Sequence, residues 1–365
     1  MTRYLLAGGG TAGHVNPLLA VADRLREVDE GAAILVLGTT EGLEARLVPD
    51  RGYELATIAR LPFPRRLGRA ALRFPQEFRL AIRSIRSLIS ERRIEVLVGF
   101  GGFVSGPAYV AAWREKIPIV VHEANTIPGF ANRLGAALTR FVGVAFSGTR
   151  LRRARVVGMP MTRELETLDR AAMKQGALEH FSLPASRPVL LVTGGSLGAR
   201  SINEAVFEAA AAILGTGWSI LHITGERSGL PESGLEGYRM LRYCDRMDLA
   251  YSAAELALAR AGSATVSELT ALGIPAVYVP LAIGNGEQRL NASGVVEAGG
   301  ALLVDNADFT PEWITRTLVA LLSDRAAIAE LAARTTGVGM RDGTARTVVL
   351  IRDAVASSGK GAVRP

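Results

Sequence analysis

Short apolar runs alternate along the first half of the chain with longer stretches in which apolar positions recur every three to four residues. "YLLAG" is followed by such a stretch at Val15–Arg26, "AAILVLG" by one at Gly42–Arg51, and "IEVLVGF" by one at Gly106–Lys116, before "IPIVVHE". A continuous apolar run is what a strand buried on both faces requires, and the intervening period is that of a helix with one buried side. The alternation therefore predicts βαβ units around a parallel sheet. After "VVGMP" at Val156–Pro160 the chain turns polar and charged from Thr162 to Arg187, and then the plan restarts with "PVLLVTGGSLGARSINEAVFEAAAAIL".

The halves echo one another twice. "LLAGGGTAGH" around Gly8 has its counterpart in "LLVTGGSLGA" around Gly194, and "LVGFGGFVSGPAYVAAWREKIPIVVH" has one in "LALARAGSATVSELTALGIPAVYVP". Each reads strand, small-residue turn, helix; the second pair ends in Ile-Pro and a further strand. Two Rossmann-like domains in tandem follow, with a linker near residues 160–187 and a disordered tail at "SSGKGAVRP".

Composition narrows the class. At 365 residues there is room for two cores, and 48% hydrophobic with 21% charged residues is ordinary for a globular protein. Cys244 is the single cysteine, so no intramolecular disulfide can form and a reducing compartment is expected. "MTRYLLAGGG" lacks the marks of a signal peptide and no apolar run nears the ~18 residues of a spanning helix, which predicts a cytoplasmic chain. The net charge of +7 points to an anionic partner. Arginines crowd the window from Arg60 to Arg93, opposed there only by Glu77 and Glu91.

Candidate chemistry sits where predicted strands end. The dinucleotide fingerprint can be laid on Gly8, Gly10 and Gly13, but the second strand ends "VLGTTEG", without the acidic residue that would take a ribose. His14 follows at the helix start, as a general base or an orienter of a substrate hydroxyl, or as a histidine bonded to backbone; the glycines clear space around it. "GGSLGAR" at Gly194–Arg200 offers backbone donors, the Ser196 hydroxyl and a helix dipole to a phosphate. "RAGSATVSE" at Arg260–Glu268 is a second small-residue helix start, with Glu268 placed one turn in for a ribose diol. Either could be a plain tight turn; two of them in one domain point to a diphosphate. "GNGEQRLNA" at Gly284–Ala292 carries Glu287, Gln288 and Asn291, suited to sugar hydroxyls or to an exposed loop. "VHEANTIPG" at Val121–Gly129 carries His122, Glu123 and Asn125, suited to a site or to a buried polar turn. His180 and His222 form no ligand cluster, and nothing has metal-site spacing.

Taken together, "GGGTAGH", "GGFVSGP", "HEAN", "GGSLGA", "GSATVSE" and "EQRLNA" closely resemble the MurG-type N-acetylglucosaminyltransferases, in order, from about Tyr4 to about Ala345. The resemblance implies an α/β fold of GT-B architecture, two Rossmann-like domains with parallel sheets facing across a cleft. It implies an acceptor and membrane-associating domain over 1–160, a UDP-GlcNAc-binding domain over 161–340, and a C-terminal helix over about 341–357 packing back on the first. The implied reaction moves GlcNAc, with inversion, from UDP-GlcNAc to the 4-hydroxyl of MurNAc in undecaprenyl-pyrophosphoryl-MurNAc-pentapeptide (lipid I). The product is lipid II for peptidoglycan, and with it cell-wall growth, cell shape and division.

By position, the resemblance makes His14 the base and puts Thr11, Ala12, Gly13 and Asn125 beside the acceptor. Ser196 would meet the diphosphate, helped by the helix that starts at Ser263, Ala264 and Thr265 and continues through Val266 and Ser267. Cys244 would approach the uracil through its backbone, Glu268 the ribose, and Glu287, Gln288 and Asn291 the donor sugar. Three positions depart from the family: Ala12-Gly13 replaces Gly-Gly, Glu287-Gln288 replaces Gln-Gln, and "GMPMTR" replaces "GNPVR". The last puts Thr162 in the arginine's column and leaves Arg163 one step on as the candidate nucleotide contact.

No metal and no cofactor are expected. For the basic window, Phe78, Ile82, Ile85 and Ile89 keep helical spacing against Arg79, Arg83 and Arg86, as in an ordinary helix with a solvated face. The segment 61–75, with Phe63, Leu67, Leu72 and Phe74 among its arginines, is expected to touch an anionic membrane surface. That makes the chain peripheral at the cytoplasmic face of the membrane, with no nucleic-acid partner and with cell-wall synthesis or division proteins as candidate partners. Alternative readings are another GT-B enzyme, such as a natural-product glycosyltransferase or a UDP-GlcNAc 2-epimerase, and a non-catalytic module binding cell-wall precursors.

Overall fold

The structure is a computed structural model that describes residues 2–61, 69–281 and 286–359. It divides into two compact units, Met1–Arg163 with Asp342–Pro365, and Glu164–Arg341.

The first unit is built on seven strands: β1 (Arg3–Ala7), β2 (Ala33–Gly38), β3 (Glu54–Thr57), β4 (Val96–Gly99), β5 (Ile119–Glu123), β6 (Phe141–Val144) and β7 (Ala154–Val156). They pair in parallel in the order β3-β2-β1-β4-β5-β6-β7. Parallel pairing obliges each connection to cross a face of the sheet, so both faces are covered and the central strands are apolar throughout. One face packs on Ile82, Ile85, Ala108 and Tyr109. The other packs on Val15, Leu18 and Leu25 together with Val348, Ile351 and Ala354 from the far end of the chain. The helix Gly343–Gly359 thus belongs to the first unit's core. Its start is tied down by Thr344, whose hydroxyl donates to Met161 O at 2.8 Å and accepts from Met161 N at 3.0 Å. The helix includes Ser357–Gly359, where a disordered tail was expected; residues 360–365 lie outside the described residues.

The second unit repeats the plan with β8 (Val189–Thr193), β9 (Ser219–Ile223), β10 (Tyr238–Leu241), β11 (Ala254–Ala259), β12 (Ala276–Tyr278) and β13 (Ala301–Leu303). The order is β10-β9-β8-β11-β12-β13, again all parallel. The α/β fold class of the GT-B enzymes is therefore the observed one.

The polar stretch expected as a linker is mostly a structural part of the second unit. It folds into the helix Arg170–His180, capped by Asp169, whose carboxylate accepts from Ala172 N at 3.0 Å. Arg170 is half-buried and donates to Tyr251 O at 2.9 Å, to Leu272 O at 3.3 Å and to Ala254 O. Its polarity answers carbonyls at the ends of other elements rather than water, a role that composition cannot distinguish from a solvated linker.

Candidate active site and donor loops

In a doubly wound sheet, neighbouring strands whose helices leave to opposite faces open a crevice at their carboxyl ends. That reversal lies between β1 and β4 in the first unit and between β8 and β11 in the second. β1 runs into the Gly8–Gly10 loop and the helix Ala12–Val28, and β4 into Phe100–Gly102. β8 runs into Gly194–Gly198, and β11 into Arg260–Gly262 ahead of the helix Ser263–Ala271. The topology alone brings each pair of glycine-rich segments to one crevice.

In the first unit, Thr11 holds the N-cap position of the helix, Ala12 and Gly13 form its first turn, and His14 follows, half-buried. His14 Nδ1 lies 3.1 Å from Gly9 O and 3.3 Å from Thr11 Oγ1. A carbonyl can only accept, so the neutral ring carries its proton on Nδ1 and presents a lone pair at Nε2. Gly101 packs against that edge of the ring: a Cβ added there would stand 3.1 Å from Nε2, and its φ of +97° suits glycine. At Gly102 a Cβ would stand 2.5 Å from Gly9 O, so the second glycine loop closes on the carbonyl that holds the histidine.

Beneath this loop lies a residue the sequence reading passed over. Glu44, fully buried at 0% exposure, accepts from Gly10 N at 2.9 Å, Thr39 N at 2.9 Å and Thr39 Oγ1 at 2.8 Å. Burial acts to raise its pKa, but the hydrogen bonds from Gly10 and Thr39 outweigh it and hold the carboxyl below its ordinary value. The Gly10 N–H, which in a dinucleotide loop would be free to face a pyrophosphate, is thus already satisfied by a carboxylate of the chain itself. The only signal in the sequence was the acidic residue after "TTEGL", which read as the first turn of a helix.

"HEAN" forms a buried polar cluster. Glu123 accepts from Asn125 N, Gly129 N and Asn132 Nδ2, each at 2.9 Å, and Asn132 accepts from Tyr109 OH at 2.7 Å. Asn125 is thereby placed at the carboxyl end of β5, half-buried. His122 bonds Gly158 O through Nε2 at 2.9 Å, and burial pulls its pKa down to about 4. It is a neutral core histidine. Arg163 is exposed and pairs with Glu27 at 3.1 Å.

In the second unit, Ser196 is exposed on a loop whose Gly195 and Gly198 have φ of +87° and +81°. A Cβ on Gly198 would stand 2.1 Å from Thr224 O. Thr224 O is itself held by Asn203 Nδ2 at 2.7 Å, and Asn203 accepts from His222 Nε2 at 3.1 Å. Burial lowers His222 to about 4, so this network is neutral and structural. At the other loop, the Val266 N–H is already given to Gly262 O at 2.9 Å. The first-turn N–H groups of Ser263, Ala264 and Thr265 precede the first intrahelical bond and are the ones a helix start can offer to an anion. Val266 and Ser267 are buried.

The two loops are bracketed by Arg260, a second residue whose role the sequence did not reveal. Its guanidinium donates to Val279 O at 2.9 Å, Pro280 O at 3.2 Å, Asn306 Oδ1 at 2.7 Å and Ser201 Oγ at 2.9 Å. Glu268 is half-buried and accepts from Tyr251 OH at 2.6 Å. Burial raises its pKa to about 7, against a smaller lowering by that bond. Cys244 is buried in the loop after β10, and burial raises its thiol, which leaves it no thiolate chemistry at neutral pH. Gln288 and Asn291 lie on the helix Glu287–Glu297. Gln288 Oε1 accepts from Leu281 N at 2.9 Å; the buried Asn291 reaches Ala261 O at 3.4 Å, beside the Ser263 helix start; Glu287 is half-buried in the first turn. Among the described residues, no group of three His, Cys, Asp or Glu side chains could hold a metal ion.

Tandem Rossmann-type units, one carrying a histidine and the other small-residue loops at the switch point, are the architecture of two-domain glycosyltransferases. The glycosyltransferase family 28 N-terminal domain matches residues 4–143, and the family's C-terminal domain matches residues 189–347. The chain belongs to this family. It is 60% identical to the UDP-N-acetylglucosamine--N-acetylmuramyl-(pentapeptide) pyrophosphoryl-undecaprenol N-acetylglucosamine transferase of Leifsonia xyli subsp. xyli, over 98% of this chain and 100% of that one. To the transferase of the same name from Clavibacter sepedonicus it is 58% identical, over 98% of each. Acinetobacter baumannii MurG is similar in structure with a TM-score of 0.78 at 28% identity, covering 97% of this chain and all of the other.

Proposed function

We propose that this chain transfers GlcNAc from UDP-GlcNAc to the 4-hydroxyl of MurNAc in undecaprenyl-pyrophosphoryl-MurNAc-pentapeptide, forming lipid II and releasing UDP. The observation that carries this reading is the full-length 60% identity to a transferase of that name.

The chemistry asked of the residues is simple. His14 Nε2 takes the proton of the acceptor hydroxyl as its oxygen attacks the anomeric carbon; the carbon–oxygen bond to the β-phosphate breaks, and UDP leaves with its electron pair. One displacement inverts the anomeric centre to a β-linkage. The departing charge is met by Ser196 and by the first-turn N–H groups of Ser263, Ala264 and Thr265, donors fixed in place before the reaction begins. Glu268 takes the ribose, the Cys244 backbone the uracil, and Glu287, Gln288 and Asn291 the GlcNAc. Thr11, Ala12, Gly13 and Asn125 line the acceptor side. Arg163, engaged with Glu27, would reach a nucleotide only by giving up that pair.

The acceptor is a membrane lipid, and no helix among the described residues is long and apolar enough to cross a membrane. The basic-apolar segment 61–75 is the proposed contact with anionic lipid at the cytoplasmic face; residues 62–68 of it lie outside the described residues. Proteins of cell-wall synthesis or division are the proposed partners.

The test is transfer of labelled GlcNAc to a short-chain lipid I analogue, with UDP-GalNAc as the control donor. Transfer preferring UDP-GlcNAc is the expected result. Conversion of UDP-GlcNAc without any acceptor would make the chain an epimerase, and donor binding with neither reaction would make it a binding module.

A further inference from the structure

We infer that Glu44 is the positioning residue of His14, acting through the Gly9–Gly10 peptide. This rests on the reading of His14 as the proton acceptor. The path is short and each link is a hydrogen bond of the structure. Glu44 accepts from Gly10 N at 2.9 Å; the preceding residue's carbonyl, Gly9 O, accepts from His14 Nδ1 at 3.1 Å. The carboxylate sits in a cradle that only glycines allow. A Cβ on Gly9 would stand 2.4 Å from Glu44 Oε1, one on Gly42 2.1 Å from Oε2, and one on Gly38 2.4 Å from Cγ. The loop is thereby pinned from below by Glu44 and from the side by Gly102, where an added Cβ would stand 2.5 Å from Gly9 O. Glycine segments bend freely, and without an anchor Gly9 O would not hold one direction.

The consequence is chemical. Gly9 O pointed at Nδ1 keeps the proton on that nitrogen and leaves the lone pair on Nε2, so a carboxylate that never touches substrate selects the tautomer in which the histidine can act as base. It is an outer-shell role of the kind that orients a histidine by the hydrogen bond on its far nitrogen.

Glu44→Gln preserves shape but replaces one accepting oxygen by an NH₂ group, which must then face the N–H of Gly10 or the donors of Thr39. The Gly9–Gly10 peptide should turn away. In full-length protein labelled with ¹⁵N-histidine, with the His14 signals assigned against His14→Ala, the wild type should show the Nδ1–H tautomer dominant. Glu44→Gln should show a mixture of tautomers, with kcat lowered by about 10²-fold, the scale of an ångström-level misplacement, and the donor KM unchanged. A smaller effect in the same direction, about tenfold in kcat, is expected of Thr39→Val, which removes one hydrogen bond to the charged group and tests the inference even where the Gln variant does not fold. An unchanged His14 tautomer in the folded variants would overturn the role of Glu44, whatever the loss of activity. Near-normal turnover of His14→Ala would instead overturn the reading of the histidine, and the tautomer measurement would still decide on Glu44.

Discussion

Gly101 stands against the Nε2 edge of His14, with a φ of +97° and room for no side chain nearer than 3.1 Å to the ring nitrogen. The two residues leave adjacent strands, β1 and β4, and meet because the sheet's winding reverses between those strands. Gly101→Ala should cost about 1–2 kcal/mol of stability from the left-handed backbone alone. It should also crowd Nε2, lowering turnover while leaving donor KM unchanged. Thermal unfolding and steady-state kinetics on one preparation read the two effects separately. His14→Ala should lower kcat by ~10²–10⁴-fold, again without weakening the donor.

Glu268 gives a pH dependence whose sign follows from its environment. Its folded pKa is raised to about 7 from the ordinary 4.5, chiefly by burial. Stability from the protonated form is therefore complete below about pH 4.5 and lost as pH rises through about 7. Ribose binding asks the opposite, since the carboxylate is the better acceptor. UDP-GlcNAc affinity should rise between pH 6 and 8 by a few-fold, and Glu268→Gln should flatten both profiles. Isothermal titration across that range checks it; an affinity independent of pH in the wild type would remove Glu268 from the ribose.

Gly198 meets Thr224 O so closely that a Cβ would lie 2.1 Å from it, at a φ of +81°. Neither atom is a flexible side-chain end, so the loops must part. Gly198→Ala is expected to lose about 1–3 kcal/mol from backbone strain and to weaken donor binding more than tenfold by displacing Ser196. Titration with UDP measures this directly, without need of the acceptor.

Arg260 joins Ser201, Asn306 and two carbonyls through one planar fork. Arg260→Lys keeps the charge but cannot span that set, because an ammonium is a compact point donor. The expected outcome is a lower melting temperature and a raised UDP-GlcNAc KM, with kcat at saturation little changed. A lowered kcat with unaltered KM would mean that Arg260 acts on the chemistry rather than on the donor loops.

What the sequence determined alone is what periodicity and local chemistry can carry. Buried parallel strands such as "VLVG" at β4 and "VLLVT" at β8 must be apolar along their whole length, so they stand out, as do the glycine turns that end β1 and β8. Short edge strands such as β3, with Glu54 and Thr57 exposed, bury too little to leave a pattern. The motifs proposed to meet donor and acceptor were legible as strings because each is contiguous. Only the tertiary structure decided how their atoms are used, since those partners lie far apart along the chain. Glu44 finds Gly10 from 34 residues away, Arg170 caps the ends of elements more than 80 residues on, and Arg260 gathers Ser201 and Asn306 from either side. A buried charge is stable only where its hydrogen bonds are complete, and completing them is a matter of three-dimensional approach, not of neighbouring letters.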